Sequence, residues 1–146
     1  MKMIYNLIGS NSNLAKNLYF FLKDKNLKIN KFSHSDNEME MNFNNSCSSN
    51  NINIYFSIVR DDLNASLDHL NKYLDLSNKF NSKFIYISSV NAKYPKASYY
   101  SNIKHECEKI VLKKGGNVIR LGLVISENAF GPYLSLKKLA NLPINL

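Results

Sequence analysis

Apolar positions along the chain fall alternately into short runs and helical stripes. Met3–Ile8 is short and apolar except for Asn6, and it reads as a strand. After the turn at Gly9, Leu14, Leu18, Phe21 and Leu22 repeat at helical spacing. Lys28–Ser33 alternates around Leu27, Ile29 and Phe32 and predicts a second strand; Ile52–Val59 predicts a third. Asp61–Asp62 carry charge suited to a helix N-terminus, and Leu63, Leu67, Leu70 and Leu74 then mark one helical face. Lys83–Ser89 is a fourth apolar run, ending in two hydroxyls. A helix is predicted from Ser98 to about Lys114, stopped by Gly115–Gly116. Asn117–Val124 predicts a further strand, Gly131–Pro132 a break, and Tyr133–Ala140 a short helix. No internal repeat is present.

Strand-helix alternation of this kind predicts an α/β domain, a doubly wound, mostly parallel sheet in three α/β/α layers. The pattern is reduced between the second strand and Ile52. Asp36–Asn51 is rich in Asn and Ser, and only Met39, Met41 and Phe43 alternate. That stretch predicts a loop with at most a strand remnant, where such folds carry a helix and another strand. On the helix after Asp62, Tyr73, Leu76 and Phe80 add a second apolar line. It belongs either to one broad core face or to a second covered face. The latter leads to the expectation of a homodimer through 62–80 and 98–114.

The length, 146 residues, suits one domain with a single core. The net charge of +8 raises the question of nucleic acid, but the lysines are scattered and only Lys113–Lys114 and Lys137–Lys138 are adjacent. There is no arginine-rich stretch or aromatic-basic interleaving, so a nucleic-acid partner is not expected. An anionic cofactor suits the same positive field. Cys47 and Cys107 lack ligand spacing and read as free thiols in a reducing compartment, hence an expected cytoplasmic location. No segment has the length of a membrane-spanning helix, and Met1–Asn6 is too short and polar for a signal peptide, so no membrane is expected either.

The candidate chemistry lies at the fourth strand and the helix after it. Tyr-x-x-x-Lys occurs three times, at Tyr19/Lys23, Tyr100/Lys104 and Tyr133/Lys137, and composition alone supplies about one such pair. Only Tyr100/Lys104 follows a strand ending in Ser-Ser. Four residues apart on a helix, Tyr100 and Lys104 share a face, and a strand-end serine can meet them there. The trio suits hydride-transfer chemistry at an alcohol or sugar carbon. Lys104 would hold the phenol near its ionised form, and the serine would anchor the reacting oxygen. The plainer reading is a surface pair on a helix.

The first turn, Gly9-Ser10-Asn11-Ser12-Asn13-Leu14-Ala15, is a strand-to-helix connection that aims backbone N–H groups at a phosphate; read plainly, it is a turn capped by Ser12 or Asn13. The second strand runs into Ser33-His34-Ser35-Asp36. A ribose-binding acid is usual there, but Asp36 comes late. Ser33 and His34 stand in its place, His34 either beside a 2′-phosphate or simply in a polar loop. His69 has no ligand-like neighbour, and His105 adjoins Lys104 but lies about 100° round the helix from it, so neither is assigned a role.

Taken in order, these residues resemble the short-chain dehydrogenase/reductase superfamily, in its epimerase/dehydratase branch. Ile8–Ala15 resembles the glycine-rich cofactor loop. Phe84–Ser89 resembles the strand ending in the active-site serine, with Ser89 the better match. Tyr100 and Lys104 match Tyr-x-x-x-Lys, and Ile119-Arg120-Leu121-Gly122-Leu123-Val124 resembles the following strand. Asn64 sits near the family's helix asparagine. The resemblance spans roughly Met3 to Pro143. It implies a Rossmann-like fold over 1–146 that binds NAD or NADP, with 130–146 opening a substrate-binding part. It further implies a small-molecule substrate such as a nucleotide sugar, with Ser89, Tyr100 and Lys104 catalytic. Gly9, Ser10, Asn11, Ser12, Asn13, Leu14, Ser33, His34 and Lys104 would bind the cofactor, and no metal is implied. The chain differs in carrying Ser12 and Ala15 at the second and third glycines and in the missing acid after the second strand. The Ser89-to-Tyr100 loop is short, and only Phe130–Leu146 stands for the C-terminal part. The alternative from another class is a non-catalytic dinucleotide-binding or subunit-interaction protein of the same fold.

Overall fold

The computed structural model describes residues 3–33, 39–57, 62–124 and 134–135. Its elements, in chain order, are β1 (Ile4–Ile8), α1 (Asn13–Asp24), β2 (Lys28–Phe32), α2 (Met39–Ser46), β3 (Asn51–Phe56), α3 (Leu63–Lys79), β4 (Lys83–Ser89), a single 3₁₀ turn (Val90–Lys93), α4 (Tyr99–Lys113) and β5 (Asn117–Leu121). The strands form one parallel sheet in the order β2-β1-β3-β4-β5. The chain moves from β1 to β2 on one side, then crosses to β3 on the other. The switch therefore lies between β1 and β3, where open α/β sheets form a crevice at their strand ends. This is a Rossmann-like fold, with α1 on one face and α2, α3 and α4 on the other.

The two faces follow from strand alternation. Ile8, Phe32, Tyr55, Phe84 and Tyr86 point to the face covered by α2, α3 and α4, where Phe43, Leu70, Leu74, Ile103, Cys107 and Val111 meet them. Leu7, Ile54 and Phe56 point the other way, onto Ala15 and Leu22 of α1. Tyr73 is buried in the larger cluster and Leu76 packs against it, so two of the three residues of the second apolar line belong to one broad core face, while Phe80, at the C-cap, is half-buried. The homodimer expectation loses the motive it drew from those residues.

The reduced region differs from expectation. Met39–Ser46 is a helix, not a loop or strand remnant. Met39 and Phe43, one turn apart, are both buried, while Met41 is 54% exposed. Apolar residues at 39, 41 and 43 fit both a strand period and an i,i+4 pair, and burial against Phe32 and Tyr73 selects the helix. No strand among the described residues pairs with the outer edge of β2. Phe21 also departs from the predicted stripe, at 60% exposed. The third strand ends at Phe56 and the fifth at Leu121. Residues 58–61, including Asp61 of the predicted helix start, and most of the Tyr133–Ala140 helix expectation lie outside the described residues. His69 is engaged after all, its Nδ1 lying 2.6 Å from the Tyr55 hydroxyl.

A polar ladder crosses the sheet. Asn6 stands in register with Asn30 on one side and Asn53 on the other. Asn30 donates to Asn6 at 2.9 Å, and Asn6 to Asn53 at 2.7 Å. Asn53 donates to Ser77 and Ser82 at 2.9 and 2.8 Å. Asn6 and Asn53 are fully buried, and burial of unpaired amides is costly, so the chain of bonds is what permits them there.

Candidate active site

The carboxyl ends of the strands open onto a cavity of about 530 Å³. Ser12 and Leu14 line it from α1, Ser57 from beyond β3, Ser89 from β4, and Tyr100 and Lys104 from α4. The structure thus brings Ser89, Tyr100 and Lys104 to one hollow, next to the start of α1. Gly122, in the stretch that resembles the family's following strand, lines it beyond β5; Ser57 also lines it and was not singled out from sequence, although a position just past a parallel strand is the signal that marks such a residue. A side chain at Gly122 would meet nothing within 4 Å.

Each member is placed by local chemistry. Ser89 ends β4, and its hydroxyl accepts the Asn91 N–H at 3.3 Å, capping the 3₁₀ turn that follows. Ser98 caps α4 by accepting the Ser101 N–H at 3.0 Å, which sets the phase of the helix and so the face that carries Tyr100 and Lys104. His105, on the same helix, reaches the carbonyl of Ala92 at 3.1 Å and ties α4 to that turn. Tyr100 is 41% exposed toward the cavity. Lys104 is buried, donates to the Ile87 carbonyl at 3.3 Å, and lies 5.1 Å from the ring centroid of Tyr86 and 5.7 Å from that of Tyr100.

The electrostatics correct one expectation. Burial pushes the Tyr100 phenol above its ordinary value, opposed by a hydrogen bond with Ser89. It is not held near its ionised form. Burial also pulls Lys104 down to about 8, against the opposing influence of Cys107 and Glu108. Both shifts have the same origin, because a low-dielectric wall disfavours whichever form is charged.

Behind Lys104 lies an ion pair that sequence reasoning missed. Glu108 is 2% exposed, one turn along α4, and Arg120 of β5 grips it with Nε at 2.9 and 3.0 Å and a terminal nitrogen at 2.6 Å. Burial would raise the Glu108 carboxyl, but the Arg120 hydrogen bonds and charge outweigh it and hold the group below its ordinary value. The Ser88 hydroxyl, itself buried, contributes from nearby without an aligned hydrogen bond.

The first turn is only partly available to a phosphate. Gly9 has φ of +84°, a left-handed conformation that favours glycine. The amides of Gly9 and Ser10 both turn inward to the Phe32 carbonyl, at 2.8 and 3.0 Å. Those two residues shape the turn without offering their N–H groups to a ligand. Ser12 caps α1, taking the Ala15 N–H at 3.2 Å. The amides of Asn13 and Leu14, at the first two helical positions, have no partner within the helix and face the anion-favouring end of its dipole. Asn11 donates to Ser33 at 2.5 Å and so joins the turn to the end of β2. His34 lies outside the described residues. Asn64 is exposed in the first turn of α3, where its N–H is taken by the cap residue Asp62. Among the described residues no cluster of His, Cys, Asp or Glu is arranged to hold a metal, and no helix is long and apolar enough to cross a membrane.

Solved structures share this fold. The enzyme WbmH of Bordetella bronchiseptica, in complex with NAD+, matches with a TM-score of 0.72 over 96% of this chain and 63% of its own, at 12% identity. The shared fold is the Rossmann-like parallel sheet described above. UDP-N-acetylglucosamine 4-epimerase from Bacillus cereus matches with a TM-score of 0.65 at 15% identity, over 88% of this chain and 64% of its own. A short-chain dehydrogenase/reductase superfamily protein of Agrobacterium tumefaciens with bound NAD matches with a TM-score of 0.62 at 10% identity, over 82% of this chain and 48% of its own. The chain therefore spans about half to two-thirds of the length of these structures. No family model matches the sequence, and no curated protein does.

Proposed function

We propose that the chain is the dinucleotide-binding part of an NAD(P)-dependent enzyme that acts by hydride transfer on a nucleotide sugar or similar hydroxylated substrate. The observation that carries this reading is the convergence of Ser89, Tyr100 and Lys104 on one cavity that begins at the N-terminus of α1. The relatives in fold include a nucleotide-sugar epimerase and proteins solved with NAD, which supports the same reading.

The residues present fit a nicotinamide dinucleotide. The pyrophosphate would meet the amides of Asn13 and Leu14 beside Ser12, and the adenosine ribose would lie toward Asn11 and Ser33. The open space at Gly122 leaves room at the far end. When bound, the nicotinamide supplies the hydride donor or acceptor. Every other task falls to the chain. Tyr100 gives or takes the proton at the substrate oxygen, Ser89 orients that oxygen, and Lys104 provides the positive charge that makes loss of the Tyr100 proton feasible. Residues 130–146 would open the substrate-binding part.

A second reading is a non-catalytic subunit that kept the fold. The inward-turned amides of Gly9 and Ser10 favour it, because they leave fewer donors for a pyrophosphate. Calorimetric titration with NAD+, NADH, NADP+ and NADPH tests the cofactor that the enzyme reading requires. Heat and a thermal shift with at least one are expected, and absence of both with all four would remove the enzyme reading.

A further inference from the structure

We infer that Glu108 is a positioning residue for the site: clamped by Arg120, its buried carboxylate is the counter-charge that keeps the Lys104 side chain an ammonium beside Tyr100. The inference rests on the reading of Lys104 as the cation of the site.

Lys104 is 5% exposed, and the Ile87 carbonyl accepts from its ammonium at 3.3 Å. An ammonium so placed loses most of its hydration and needs a negative charge to persist. The groups that face it come from three elements: Tyr86 on β4, Tyr100, Cys107 and Glu108 on α4, and Arg120 of β5, which acts by way of Glu108. Burial pushes Tyr86, Tyr100 and Cys107 all above their ordinary values, so none is ionised near neutral pH. Of these groups Glu108 alone carries a full negative charge there. Its position i+4 from Lys104 places the two side chains on one helix face.

Arg120 makes this possible at some cost. Its hydrogen bonds fix the Glu108 carboxylate in place, while its own positive charge offsets some of that carboxylate's pull on Lys104. The two partners of one ion pair therefore act on Lys104 with opposite sign. A pair whose role was only to pin α4 to β5 would lose the same bond whichever partner was removed.

The test is an NMR titration of the dinucleotide-free protein labelled at the lysine Cε carbons, with Lys104 assigned from the Lys104→Arg spectrum. The wild-type midpoint is expected near 8. Glu108→Gln should lower it by at least about half a pH unit, and Arg120→Gln should raise it. No movement in Glu108→Gln, or movement in the same direction in both variants, overturns the inference. If Glu108→Gln does not fold, Glu108→Asp keeps the charge while Arg120→Gln still gives the sign; a lowered midpoint in Arg120→Gln is again fatal. Since no dinucleotide is present, opposite shifts stand even if the chain binds none. Dinucleotide binding with an unmoved Lys104 sinks the role of Glu108 alone.

Discussion

The ammonium of Lys104 lies over the ring of Tyr100, 5.7 Å from its centroid, while its described hydrogen bond goes to the Ile87 carbonyl. The influence of Lys104 on the phenol is therefore that of a nearby charge, and it lasts only as long as Lys104 stays protonated.

That dependence predicts an alkaline limb. With Lys104 at about 8, turnover of a complete, active protein should fall as pH rises through that value, well before a free lysine would titrate. The pH profile of kcat/KM checks this; a profile flat to pH 10 would remove the Lys104 charge from the mechanism.

Stability should move the other way. Between about 8 and the ordinary 10.5, the unfolded chain keeps a proton on Lys104 that the folded chain has already released. The unfolded state binds more protons, so stability attributable to this group rises with pH across that window. Urea unfolding of wild type and Lys104→Met should show the difference between them shifting in favour of wild type by on the order of 1–3 kcal/mol from pH 8 to 10.5. A difference that stays constant would mean Lys104 is solvated like a surface lysine.

Tyr100→Phe removes one hydroxyl from a half-exposed ring, so fold and dinucleotide binding should survive. Hydride transfer should drop by roughly 10²–10⁴, as for loss of a general acid–base group. Tyr19→Phe is the control. Tyr19 shares the Tyr-x-x-x-Lys spacing, yet its ring lies under Lys31, 4.6 Å from the centroid. Cofactor absorbance on sugar-nucleotide substrates reads both, and an equal loss in the two variants would take Tyr100 out of the chemistry.

Gly9→Val should abolish dinucleotide binding, but it also forces a β-branched residue to φ of +84°. Ser12→Ala separates ligand from backbone. It should cost about 1 kcal/mol as a lost helix cap and weaken dinucleotide binding as well. Denaturation and calorimetry on the same variant measure the two effects; unchanged affinity would place the pyrophosphate elsewhere.

Asn53→Ala removes the centre of the polar ladder and leaves Asn6, Ser77 and Ser82 without it in a dry interior. A loss of roughly 2–4 kcal/mol is expected, more than the loss of one hydrogen bond. Denaturant titration checks it. A change within about 0.5 kcal/mol would mean that water replaces the amide.

Much of the fold was legible because its strands are short apolar runs that end in polar residues, as at Phe84–Ile87 before Ser88 and Ser89. The trio at the cavity was legible because a strand end and an i,i+4 pair are both local patterns. Four things were not. Met39, Met41 and Phe43 fit two periods at once, and only packing against Phe32 and Tyr73 separates them. The Glu108–Arg120 clamp joins a helix to the next strand, and a single Glu or Arg has no local signature for its partner. The inward turn of the Gly9 and Ser10 amides depends on where β2 ends, which is a tertiary fact. The direction of the Tyr100 shift was misjudged because spacing reveals the charge beside a phenol but not the depth of its burial.

The asparagine ladder also bears on how the sheet reaches its arrangement. Parallel strands meet only after long crossovers, so wrong alignments are a standing risk while the chain collapses. A slip of one residue in β1 would turn Asn6 to the opposite face, among the apolar side chains around Leu7, and break its bonds to Asn30 and Asn53 together. Misaligned compact states are thereby marked by stranded amides and dissolve sooner than they would in a purely hydrocarbon sheet. The ladder therefore penalises a shifted register as well as bonding the native one.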